Sequence, residues 1–180
     1  MSVLTLPLPQ MPPPQAPACD MKDLAARVRA LFCVREHQSS RVPLGGRLFD
    51  VVVTGGGRPG RAAVARMDEI QHGSCGPVIE DRSAGWLYWL VPPGTASTWD
   101  YHAFGLCIGS PHTLTLPALD RGEPPGPYWL RPCVSDRLVP PQQLRALLCQ
   151  IGSLPASHGA VQAHLSAAQT LGLQEEAMPR

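Results

Sequence analysis

The residues whose types and spacing come nearest to a chemical motif form one short run, Gly55-Gly56-Gly57-Arg58-Pro59-Gly60. This is a GxGxxG pattern between a valine-rich segment and an amphipathic one, where a dinucleotide-binding turn would lie, and Glu80 follows at the spacing of a ribose-binding acid. Pro59 counts against that use, because it has no backbone N–H to offer a phosphate. The six histidines, His37, His72, His102, His112, His158 and His164, form no HxH, HxxxH or HExxH unit. The six cysteines form no CxxC pair, so neither a zinc hydrolase nor a zinc knuckle is indicated. His72 and Cys75 are close enough in sequence to suggest a nucleophile and its base, but such pairs are normally assembled by the fold. Two-metal nucleotidyl transfer needs at least two convergent carboxylates. Asp50 stands alone. Asp68-Glu69, Glu80-Asp81 and Glu175-Glu176 place neighbours on opposite sides of a strand or at an angle on a helix, and are expected at the solvated surface. No catalytic residue, metal ligand or cofactor is assigned.

The elements that must position these groups follow from periodicity. Asp20 can cap a helix to about Arg35, with Leu24, Val28, Leu31 and Phe32 on one face. Leu48 to Thr54 reads as a strand, and Ala62, Ala63, Val64, Met67 and Ile70 as a helix. Short strands are expected at Pro77 to Ile79, Trp86 to Val91, Phe104 to Ile108 and Thr113 to Leu116. Both alternating sets of Trp86 to Val91 are apolar, so this strand should be central and covered on both faces. Pro140-Pro141 opens a helix carrying Leu144, Leu147, Leu148 and Ile151. The expected class is α+β, with a single mixed or mostly antiparallel sheet and two to three packed helices. The expected organisation is a disordered proline-rich leader over residues 1–18, one domain over 19–152, and a weakly ordered tail or terminal helix over 153–180.

Of 180 residues, 44% are hydrophobic and 16% charged, which suits one globular domain, and 21 prolines with 17 glycines predict many loops. A net charge of +1 supplies no broad field for a duplex or an anionic membrane. The first ten residues do not read as a signal peptide and no run approaches a membrane span, so a cytoplasmic protein with reduced thiols is expected. Lys22 is the sole lysine among fifteen basic residues, a codon bias that carries no chemistry.

The segment from Gly46 to about Leu148 resembles small actinobacterial proteins similar to the N-terminal domain of bifunctional DNA primase-polymerases. The resemblance rests on Gly46-Arg47-Leu48-Phe49-Asp50 before a valine strand, on Gly76-Pro77-Val78-Ile79-Glu80-Asp81, on the run from Gly85 to Ala96, and on Gly126-Pro127-Tyr128-Trp129. It implies an abridged primase-polymerase-like core. Trp86 stands where the family carries a histidine, and Val53 and Gly55 stand where its metal-binding carboxylates would fall. The resemblance therefore implies a protein without the transfer centre: a non-catalytic accessory or interaction protein in replication or the regulation of a mobile element, acting with an unidentified protein partner. Residues that could still touch nucleotide or nucleic acid are Arg82, Trp86 and Arg121, against the plainer roles of core packing for the indole and solvent for the arginines. The alternative is a nucleotide-binding or nucleotidyl-transferring enzyme that uses the Gly55 to Gly60 loop.

Overall fold

The computed structural model describes residues 37–73, 75–132, 137–152 and 163. The expected leader, the helix from Asp20, and nearly all of the tail lie outside them. Seven strands and three helices follow in order: β1 (Ser40–Pro43), β2 (Asp50–Gly55), α1 (Gly57–Ile70), β3 (Val78–Asp81), β4 (Trp86–Val91), α2 (Thr95–Thr98), β5 (Gly105–Ile108), β6 (Thr113–Leu116), β7 (Tyr128–Arg131) and α3 (Pro141–Ile151). The α+β class is as expected, but the strands form two sheets where a single one was expected. One has five strands in the order β5-β2-β4-β3-β7 and the other pairs β1 with β6. Every described pairing is antiparallel.

The topology follows from where α1 crosses. β2 and β3 both pair antiparallel with β4, so they run in the same direction with β4 between them. A strand, a crossover helix and a parallel strand with a third strand inserted is the split βαβ unit. β4 is thereby the middle strand, as its two apolar sets predicted, and five of its six residues are buried.

Alternation along the strands makes two cores. On one face Val52, Val78, Leu87, Trp89 and Val91 meet Ala63, Val64 and Met67 of α1 and Leu144, Leu147 and Leu148 of α3. The helical residues recur at i, i+3 and i+4, which gives each helix one apolar stripe for the sheet. On the other face Val51, Val53, Ile79, Tyr88 and Leu90 meet Val42, Leu114 and Leu116 of the β1–β6 ribbon.

The glycine run is not a loop, which corrects the reading from sequence. Gly57 to Gly60 form the first turn of α1 and only Gly56 separates it from β2. A Cβ on Gly60 would lie 2.5 Å from the Gly55 carbonyl oxygen and 2.8 Å from Leu87 Cδ1. The spacing of the motif therefore serves close packing of helix on strand. Among the described residues, no helix is long and apolar enough to cross a membrane.

Candidate functional site

Polar groups gather at both ends of the large sheet. At the end where β2 begins, Asp50 is 1% exposed. Its Oδ2 accepts the Ala96 N–H at 2.8 Å, which ties the short helix α2 to the start of β2. Asp50 also borders a cleft of about 410 Å³ whose walls come from Gly45-Gly46, from Gly94, Ala96 and Ser97, and from Gly109-Ser110.

At the opposite end, Glu80 is buried on the helical face of β3 and gathers three partners. Arg61 of α1 reaches both carboxylate oxygens through Nε and Nη2 at 3.1–3.2 Å. The Tyr128 hydroxyl donates to Glu80 Oε2. Arg82 donates from Nε to the Tyr128 oxygen at 3.1 Å and lies over the Tyr128 ring at 5.5 Å. Burial, and then the hydrogen bond to Glu80, push the Tyr128 phenol up, so it stays protonated and keeps donating. Asp81 points to the other face. Its Oδ1 accepts Ser83 N–H at 3.0 Å, Ser83 Oγ–H at 2.6 Å and Ala84 N–H at 3.1 Å, which closes the β3–β4 turn.

The expectation of solvated acids is therefore wrong for Glu80 and Asp81, and Asp50 is equally buried. Partners that lie 19 and 48 residues from Glu80 in sequence compensate the burial. Glu80 and Asp81 do face opposite sides of the strand, as their adjacency required. The register sets Asp50 opposite Val91, and Glu80 opposite Leu87, which in turn faces Thr54. Asp50 and Glu80 are thus four residues apart along the strand direction, about 14 Å at roughly 3.4 Å per residue. Among the described residues, no three His, Cys, Asp or Glu side chains are grouped to hold a metal.

Comparison with family models, with curated proteins and with solved structures returns no match. The chain's own geometry carries the reading.

The three residues singled out for nucleotide contact are not brought into one site. Arg82 belongs to the Glu80 cluster with its side chain half exposed. Trp86 begins β4 opposite Gly55 and Asp81, and packs against the ribbon-side core. Arg121 braces its own loop, donating from Nη1 to the Pro125 carbonyl at 3.2 Å while its carbonyl accepts Trp129 N–H. Sequence reasoning missed Arg61 and Tyr128, since only the sheet order brings α1 and β7 to β3. The Gly56 N–H, which a phosphate would need, donates instead to the Gly85 carbonyl at 2.7 Å.

The cysteine and histidine that meet are not the sequence neighbours. Cys75 is buried and its thiol is pushed up to about 12, first by burial and then by Asp68, while His72 is exposed. Instead His102 Nε2 lies 3.1 Å from Cys149 Sγ, across 47 residues. The His102 Nδ1 accepts Phe104 N–H at 3.2 Å, so the neutral ring carries its proton on Nε2 and donates to sulfur. Burial, and then Arg145, lower the His102 pKa, which favours this neutral form. A ring in this tautomer has no lone pair at Nε2 with which to take the thiol proton.

Proposed function

We propose that this chain is a non-catalytic accessory or interaction protein of the primase-polymerase-like kind, cytoplasmic, and acting with a protein partner in replication or in the regulation of a mobile element. The observation that carries the reading is the dispersal of the buried carboxylates. Asp50 lies at one end of the sheet, Glu80 and Asp81 lie at the other on opposite faces, and both of the latter are occupied by partners of their own. In-line nucleotidyl transfer requires two metals about 3.5–4 Å apart, held by shared carboxylates. Trp86, in place of the family's histidine, supports the same reading, because an indole has a donor and no basic nitrogen.

The nucleotide-binding alternative is less well supported. Its glycines are taken up by helix packing, and the antiparallel sheet forms no crevice at the carboxyl edge of parallel strands. The half-exposed guanidinium groups of Arg61 and Arg82 remain the groups through which an accessory protein of this kind would meet a phosphate.

Purified full-length protein is expected to incorporate no labelled nucleotide on primed or unprimed templates with Mg²⁺ or Mn²⁺. Template-dependent extension that disappears in Asp50→Ala would overturn the proposal.

A further inference from the structure

Asp50 is almost wholly buried, yet its carboxylate is only half used. Oδ2 is held by the Ala96 N–H, while Oδ1 accepts no hydrogen bond from any described residue. No described cation forms an ion pair with Asp50. The Ala96 N–H therefore compensates the burial of this carboxylate on one oxygen only, and no described counter-ion compensates the other. The cleft supplies the approach. A Cβ on Gly109 would lie 2.8 Å from Oδ1 and a Cβ on Gly45 would lie 3.6 Å from it, so glycine at these two positions leaves that oxygen uncovered.

We propose that the cleft is a binding site for an alkylammonium group, which docks on Asp50 Oδ1. The donor count favours ammonium over guanidinium. A guanidinium fork uses both carboxylate oxygens, and here one is already taken by Ala96, whereas an ammonium is a point charge whose rotatable donors need one strong acceptor. Ser97, on the cleft wall, donates its hydroxyl to the Gly94 carbonyl at 2.7 Å and keeps its lone pairs for a second N–H. A divalent cation is a poorer fit, because it takes six or more oxygen ligands and, among the described residues, no second carboxylate borders the cleft. About 410 Å³ accommodates the head group with a short alkyl chain. The ammonium can belong to a free amine or to a lysine side chain of a partner. This site is independent of the accessory reading, and incorporation and amine binding are measured separately.

The test is titration of the ¹⁵N-labelled full chain with n-butylammonium chloride and, separately, with a short lysine-containing peptide, at constant ionic strength. Saturable shifts of the Gly45, Ala96 and Gly109 amides are expected in the millimolar range. Tetramethylammonium, which has no N–H, should leave those amides unmoved. Asp50→Asn keeps an oxygen for the Ala96 N–H and removes the charge, and should weaken binding by about tenfold or more. Tighter binding of the peptide supports the site with a lysine as its occupant, and tighter binding of butylammonium supports it with a free amine. Absence of saturable shifts with either probe, equal shifts with tetramethylammonium, or unchanged affinity in a folded Asp50→Asn would overturn the proposal. If Asp50→Asn does not fold, the tetramethylammonium comparison on the unaltered protein decides it.

Discussion

Trp89→Ala is expected to cost about 3–5 kcal/mol of folding stability, the range for truncating a fully buried aromatic side chain. Trp89 is 0% exposed on the helical face of the middle strand, opposite Val52 of β2 and Val78 of β3. It belongs to the core that α1 and α3 share with the sheet, so the space it leaves cannot be filled without moving a helix. A second loss adds to the first. The indole Nε1–H donates to Thr54 Oγ1 at 2.9 Å, and Thr54 is itself buried, so truncation strands a hydroxyl in the core. Trp86→Ala on the same strand should cost much less, since that side chain is only partly buried. Urea denaturation measures both. A Trp89→Ala midpoint close to that of the unaltered protein, with an unchanged m-value, would contradict the placement of β4 at the centre of the fold.

The second large effect is expected from the smallest change, Gly76→Ala. A Cβ there would lie 2.4 Å from the Val139 nitrogen and 2.6 Å from the Leu138 carbonyl carbon. Both are backbone atoms, and no rotamer change relieves such a clash. The segments in collision are held on the same residue of β4: Val139 N–H donates to the Leu90 carbonyl at 2.9 Å, and Leu90 N–H to the Pro77 carbonyl at 3.1 Å. Pushing them apart breaks these bonds and lifts Leu138 and Val139, both 0% exposed, out of the core. A loss of about 3 kcal/mol or more is expected, at the upper end for overpacking. Gly122→Ala is the matched control, because no atom lies within 4 Å of its Cβ position, and it should change stability by less than about 0.5 kcal/mol. Thermal unfolding of the two variants side by side distinguishes a packing glycine from a permissive one.

What was legible in the chain was whatever depended on its own periodicity. Trp86 to Val91 carries apolar residues in both alternating sets, and this identified the central strand. The stripes of α1 and α3 were readable for the same reason. The second sheet was not. β1 and β6 pair Arg41 with Thr115, and nothing local in Ser40–Pro43, which contains a proline and an arginine, marks it as a strand. Tyr128–Arg131 was not legible either, because Tyr-Trp-Leu-Arg shows no alternation of apolar and polar residues and follows a proline- and glycine-rich stretch. The candidate sites were hidden by distance along the chain. Glu80 reads as a surface acid until α1 and β7 bring Arg61 and Tyr128 to it, and Cys149 has no histidine near it in sequence. Asp50 did leave a trace, as a lone acid at the mouth of a valine strand just after a Gly-Gly pair. Only the tertiary structure shows that one of its oxygens is taken and the other is not.

Because the buried carboxylates are held apart, the most direct measurement is a Mn²⁺ titration of the purified full-length protein, followed by the paramagnetic signal of the free ion. No saturable uptake that depends jointly on Asp50 and Glu80 is expected, because the sheet sets them about 14 Å apart along the strand direction. Stoichiometric Mn²⁺ binding lost in both Asp50→Asn and Glu80→Gln, with each variant still folded, would contradict it.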